Sequence, residues 1–269
     1  MIKNEIGATS IASVVGGSMG GMQALEWCII GKEVVKSAII IGCGARHTAW
    51  QIAISEVQRQ AIYRDPKWNN GNVDMLNPPL NGLELARQIA MVSYRTAVSF
   101  DRKFNRNVDD KTGKFVQTLA RICTLSLTHS LTHSLTRLLT HSLTRLLTHS
   151  LTHSLNRSTK GKFQVRKYLE YQGKKFISRF DPVSYVKITE QLDSHDVGRG
   201  RGGVSAALAS ITCPTLILGI DSDVLYPLYE QQDLAKYIPS STFSVIQSNE
   251  GASPLIHSLI HSLIRSRRS

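Results

Sequence analysis

The sequence predicts an α/β fold, a parallel sheet in which a serine stands at the apex of the turn after the first strand. Three observations predict it. Ile11–Val15 (IASVV) is a β-branched run that ends at a glycine pair and leads into the helix-forming stretch Met22–Trp27. Ile211–Ile220 (ITCPTLILGI) is a nearly continuous apolar run, the pattern of a strand buried on both faces. Between the two stand segments of helical periodicity, and strands alternating with helices give a parallel sheet.

The first strand is followed by Gly16-Gly17-Ser18-Met19-Gly20-Gly21, which matches the G-x-S-x-G nucleophile elbow. Small flanking residues let strand and helix approach, so the serine hydroxyl projects beyond the sheet. The helix N-terminus stabilises negative charge there, and the backbone N–H of Met19 would form half of an oxyanion hole. A phosphate-binding P-loop fails because no Lys-Ser/Thr pair follows. Lys36–Gly42 reads as the next strand, and Ala49–Ile62 and Gly82–Val98 as helices across an Asn/Gly/Pro-rich loop. Phe163–Phe180 and Val183–Leu192 are further helical segments; Thr242–Ile246 is one more strand. A serine elbow, then helices, then an apolar strand ending in Asp221-Ser222-Asp223 is the chain order of an α/β-hydrolase with an inserted helical cap.

Two segments stand apart. Residues 121–159 and 252–269 carry seven arginines, no acids and seven of the nine histidines. Without those seven charges the formal net charge falls from +12 to about +5, ordinary for an enzyme. A basic nucleic-acid-binding protein would interleave aromatics with the arginines, and neither segment contains one. The first segment repeats Leu-Thr-His-Ser, and the codons CTC-ACT-CAC-TCA spell that peptide as the tetranucleotide CTCA. The tail repeats the pattern with Ile for Thr. Both read as translated simple-repeat DNA, for which no fixed secondary structure is expected. A four-residue histidine spacing does not build a closed metal shell, so no metal site is expected. Cys28, Cys43, Cys123 and Cys213 form no C-x-x-C pair and read as reduced, mostly buried thiols. No leader and no apolar run of about 20 residues occurs, so a soluble, cytoplasmic protein is expected.

Several stretches resemble one family, the homoserine O-acetyltransferases of methionine biosynthesis. They are VVGGSMGGMQALEW (Val14–Trp27), EVQRQAIYRDPKW (Glu56–Trp68), GLELARQIAMVSYRT (Gly82–Thr96), Tyr168–Val197 and ILGIDSDVLYP (Ile217–Pro227). The resemblance covers nearly everything outside the repeats. It implies a serine, here Ser18, that takes acetyl from acetyl-CoA and passes it to the γ-hydroxyl of L-homoserine, with acetyl-CoA as a substrate and no bound cofactor. It implies Asp223 as the triad carboxylate, because the S-D-x-L-[FY]-P motif selects it over Asp221. Arg87, in the GL-x-x-AR helix, resembles the family's substrate-binding arginine, and a guanidinium can bond both carboxylate oxygens. Sequence alone allows Arg87 equally to be a helix-surface ion pair. Small-molecule substrates are implied, with a homodimer through the cap left open, and neither nucleic acid nor membrane as partner.

The departures from the family pattern carry as much weight. An E-G-H-D segment, whose histidine is the general base, is implied after the last strand; here Glu250-Gly251 is followed by Ala252-Ser253. His257 and His261 lie in the repeat tail, and His195 falls out of triad order and reads as structural. Only one strand precedes Ser18, whereas the fold normally places several before its elbow, with the loop supplying the second oxyanion N–H. An exposed parallel edge and poor solubility are therefore expected. The implied organisation is hydrolase core with the elbow at 1–47, cap at 48–120, repeat at 121–159, cap again at 160–197, core again at 198–251 and repeat tail at 252–269. Two functions remain open: an acyltransferase inactive as it stands, or a non-catalytic remnant of that family.

Overall fold

The computed structural model describes residues 7–109, 162–252 and Ile256. The repeat 121–159, Cys123 and nearly all of the tail lie outside the described residues. Two compact units are present, Met1–Phe100 with Tyr171–Ser269, and Asp101–Glu170.

The first unit is built on a four-stranded sheet in the order β1 (Val14–Gly17), β2 (Ala38–Ile41), β5 (Thr215–Ile220), β6 (Ser241–Ile246), with every neighbouring pair parallel. All four strands therefore end at one edge, where α/β folds place their sites. Among the described residues β1 pairs with β2 alone, and its Val15 is 40% exposed. The helix α1 (Met19–Ile30) follows the elbow and buries Met22, Ala24, Leu25 and Cys28. Those residues pack with Ile40 and Ile217 of the sheet. The same core takes Ala207 and Leu208 of α7 (Val204–Ala209) and Leu234 of α8 (Leu228–Tyr237). Fully burying one such aliphatic side chain is worth about 1.5–3 kcal/mol.

A second hydrophobic cluster lies among helices. Ile62 of α2 (Ala49–Tyr63), Leu83 and Ala86 of α3 (Leu80–Ser93), Phe176 of α5 (Gln164–Ile177), and Tyr185 and Val186 of α6 (Pro182–Asp193) form it. Thr48 and Gln51 close a capping box at the start of α2, and Asp181 caps α6 by accepting from Ser184 N at 2.8 Å. The second unit contains a short antiparallel pair, β3 (Val108–Asp109) with β4 (Lys162–Phe163), and a Phe104–Tyr168 ring contact at 4.9 Å.

The expected strand at 11–15 starts three residues later. Ile11 forms a lone bridge to Val35, and the Ser37 hydroxyl takes the Ala12 carbonyl, so the ladder closes only from Val14. The strand expected from Ile211 begins at Thr215, because Pro214 brings no N–H to the ladder. The single helix expected over 82–98 is two: α3 ends at Ser93, and Thr96 Oγ1 accepts from Ser99 N at 2.9 Å to start α4 (Ala97–Phe104). Cys28, Cys43 and Cys213 are free and buried. Burial pushes the Cys28 thiol up to about 12, so it stays protonated at neutral pH.

Candidate active site

Ser18 sits between β1 and α1 with φ 53° and ψ −125°, a backbone conformation that L-residues rarely adopt. Its N–H donates to Ile41 O at 2.9 Å, which ties the turn to the neighbouring strand β2. Two of the glycines around it, Gly16 and Gly21, are a steric requirement. A Cβ at Gly16 would lie 2.0 Å from the Gly20 carbonyl oxygen. Such strain costs on the order of 1–3 kcal/mol and persists only where the surroundings enforce it. Ser18→Gly is therefore expected to raise stability by about 1 kcal/mol in urea melts, because glycine adopts this φ without strain. A variant as stable as the unaltered chain, or less so, would contradict a strained elbow.

Met19 is the first residue of α1, so helix geometry leaves its N–H without an intrahelical partner and pointing past the strand end. Asp223 lies just beyond β5, with β2 between it and the serine strand, so the two groups share one sheet edge about 10 Å apart in strand spacing. Leu225 N and Tyr226 N both donate to Asp223 Oδ1 at 2.9 Å. Its Oδ2 is buried and has no hydrogen-bond partner. Burial pushes this carboxyl up to about 7 against the pull of the two backbone bonds, and Glu230 adds to the rise. Asp221 differs, since its Oδ1 accepts from Ser248 N at 2.9 Å and joins the end of β5 to the loop after β6.

That loop is held on several sides. Glu250 Oε2 accepts from Ser99 Oγ at 2.8 Å and lies 3.3 Å from Arg95 Nη1. Gly251 N donates to Ser222 Oγ at 3.2 Å. Gly251 has φ 78°, and a Cβ there would lie 2.8 Å from Tyr94 O. The loop thus delivers residue 252 from a fixed, glycine-only turn, and the residue delivered is Ala252. Ile256 lies close by: a Cβ built on Gly42, at the end of β2, would stand 3.0 Å from Ile256 Cδ1 and 3.5 Å from Asp223 Oδ2. An apolar side chain and an unpaired carboxylate oxygen thus lie together at the end of β2.

Neither described histidine fills that place. His47 has both ring nitrogens engaged, Nε2 with Tyr226 Oη at 2.8 Å and Nδ1 with Asp193 Oδ1 at 3.2 Å, and burial lowers its pKa. His195, also lowered by burial, lines an open groove of about 580 Å³ with Met19, Glu26, Trp27 and Ile30 of α1. Glu26, the charge that most raises His195, lies eight residues along the helix from Ser18, about 12 Å away. Arg87 is not a surface ion pair. Its guanidinium carbon stands 4.8 Å from the Phe176 ring centroid and 5.6 Å from that of Tyr94, and its Nε is buried without a partner. Through Tyr94 it borders the Gly251 turn. Sequence reasoning passed over His47, Trp50, Gln51 and Gln231, which surround the aspartate turn; residues so distant in sequence carry no local signal. Among the described residues no group of three or more His, Cys, Asp or Glu side chains is placed to hold a metal ion, and no helix is long and apolar enough to cross a membrane.

A strained serine turn between strand and helix, with an aspartate past a later strand of the same parallel sheet, is the arrangement of an α/β-hydrolase fold. The family model for the alpha/beta hydrolase fold matches residues 1–250, and the chain belongs to that family. It is 37% identical over 248 residues to a homoserine O-acetyltransferase of Chloroherpeton thalassium, covering 92% of this chain and 53% of that protein. It is 38% identical over 251 residues to the Salinibacter ruber enzyme of the same name, covering 91% and 58%. The chain thus spans a little over half the length of these curated relatives. The crystal structure of a homoserine O-acetyltransferase from Bacillus anthracis superposes with a TM-score of 0.70, at 17% identity, over 96% of this chain and 59% of that one, a likeness of fold.

Proposed function

We propose that the chain carries the nucleophile and acid of a homoserine O-acetyltransferase-like acyltransferase, and that as it stands the site lacks its base and does not turn over. One observation carries this reading: Asp223 Oδ2 is buried and unpartnered while the fixed turn beside it delivers Ala252. In the complete reaction the Ser18 oxygen attacks the thioester carbonyl of acetyl-CoA. The oxyanion forms against the Met19 N–H, and the CoA thiol leaves as acetyl-serine forms. The homoserine γ-hydroxyl then attacks that ester, releasing O-acetylhomoserine and restoring Ser18. Each attack needs a base to take a hydroxyl proton, since a serine at its ordinary pKa is a poor nucleophile. Arg87 is the group proposed to hold the homoserine carboxylate, its buried Nε supplying an unused donor.

The test is incubation with acetyl-CoA and L-homoserine, following O-acetylhomoserine by mass spectrometry against a Ser18→Ala control. No product above that control is expected. Sustained production that depends on Ser18 would overturn the baseless reading and show that another group takes the proton. The second reading, a non-catalytic remnant, is favoured by the same Ala252. It differs in one outcome, because a remnant whose site no longer assembles gains nothing when a base is restored.

A further inference from the structure

The turn that carries Asp223 is gripped from outside. Its amides at 225 and 226 both serve Asp223 Oδ1. Its next three carbonyls are each taken by a side chain distant in sequence or on the following helix. Trp50 Nε1 donates to Val224 O at 2.9 Å, Gln51 Nε2 to Leu225 O at 2.7 Å, and Gln231 Nε2 to Tyr226 O at 2.6 Å. The Tyr226 hydroxyl meets His47 Nε2 at 2.8 Å, and Asp193 Oδ1 stands 3.2 Å from the other ring nitrogen. His47, Trp50 and Gln51 fall within five residues at the start of α2, so one short segment makes three of these contacts.

We infer that His47, Trp50 and Gln51 form a clamp that orients the Asp223 carboxylate, holding Oδ1 on the turn amides and leaving Oδ2 directed to the base position. They are positioning residues, acting through the turn and not on substrate. The inference rests on the reading of Asp223 as the acid of an acyl-transfer site. Two features argue for orientation over simple filling. Gln51 is 1% exposed yet polar, and its amide nitrogen also donates to Glu230 Oε2 at 3.0 Å. An apolar residue would fill the same space and leave the Leu225 carbonyl unsatisfied, and a buried unsatisfied group is costly. The second feature is the asymmetry of the carboxylate, with two backbone bonds on one oxygen and none on the other. A turn free to rotate would share donors between the two oxygens.

The clamp is tested on the full chain by following the Asp223 carboxyl carbon with pH in ¹³C NMR. The proteins are the unaltered chain, Gln51→Leu, Trp50→Phe and the control Gln58→Leu. Gln58 accepts a buried hydrogen bond from Tyr185 but makes none to the turn. Gln51→Leu and Trp50→Phe are expected to move the Asp223 midpoint upward, because the amides that favour its charged form loosen. Gln58→Leu is expected to lower the melting temperature and leave the midpoint in place. Trp50 is half exposed and Phe keeps its packing, so that variant reads the clamp even if Gln51→Leu does not fold. An unmoved midpoint in a cooperatively melting clamp variant overturns the inference. In an Ala252→His background, Gln51→Leu should lower kcat by roughly 10- to 100-fold with KM nearly constant. If Ala252→His is itself inert while the midpoint still moves, the acyl-transfer reading falls and the clamp stands.

Discussion

Replacing Ala252 with histidine is expected to raise the rate at which the chain releases CoA from acetyl-CoA by roughly 10²- to 10⁴-fold, the usual contribution of a positioned general base. Everything that orients residue 252 is present. Ser99 and Arg95 hold Glu250, Ser222 holds the Gly251 amide, and Tyr94 O leaves no room for a side chain at 251. The partner an imidazole Nδ1–H needs is present as well, since Asp223 Oδ2 is buried with nothing bonded to it. With that bond made, the other ring nitrogen is expected to take the Ser18 proton as the oxygen attacks. Ile256 must give way, so Ala252→His/Ile256→Ala is expected to equal or exceed the single variant. The rate is measured by thiol release, with Ser18→Ala in the same background as the control. A histidine variant that folds and remains at that control's rate would show that serine and aspartate are not in register.

The second large effect is on stability. In the unfolded chain an aspartate titrates near 3.9, whereas burial holds Asp223 at about 7. Between those values the folded state binds the proton and the unfolded state does not. The contribution is fully present below about pH 4 and is lost as pH rises through about 7. Its size is up to about 4 kcal/mol. Asp223→Asn stays neutral throughout, so its stability advantage over the unaltered chain should grow as pH rises from about 4 to about 8. Other groups contribute to the slope of both proteins. His47 and His195, lowered by burial, lose their contribution as pH falls below about 6.5, and Glu230, raised by burial, acts in the direction of Asp223. The diagnostic quantity is therefore the difference between the urea midpoints of the two proteins, at pH 5 and at pH 8. Parallel pH dependences would mean that Asp223 is ionised and satisfied, contrary to its unpartnered oxygen. In the Ala252→His chain the imidazolium would hold Asp223 charged, and the slope that Asp223 imposes should largely vanish.

The parts of the site legible in the sequence were those with a local signature. The elbow could be read because one serine stands among four glycines, and the 2.0 Å approach of a Cβ at Gly16 to the Gly20 carbonyl shows the steric use of the first of them. The departure at residue 252 could be read because Glu250-Gly251 is intact and the residue after it is alanine, not histidine. Strand β5 was read too long by four residues, since hydrophobicity runs on through Ile211 while Pro214 interrupts the hydrogen bonds. The break between α3 and α4 was missed because periodicity continues across it, although Thr96 is a strong N-cap. What lay beyond the sequence was the environment of Asp223. Trp50 and Gln51 reach its turn across 174 residues, and no spacing rule joins positions so far apart. Arg87 shows the same limit. Its helix was legible, but its aromatic neighbours Tyr94 and Phe176 were set by packing.

The central claim is that serine and aspartate are assembled in one site that lacks a base. The most direct measurement is peptide mapping after incubation with acetyl-CoA, run in parallel on the unaltered chain and on Ala252→His. An acetyl group on the Ser18 peptide of the histidine variant, and none on the unaltered chain, is the result predicted. Acetyl-Ser18 in the unaltered chain would contradict the claim that the base is missing. Its absence from a folded histidine variant would contradict the claim that the rest of the site is assembled.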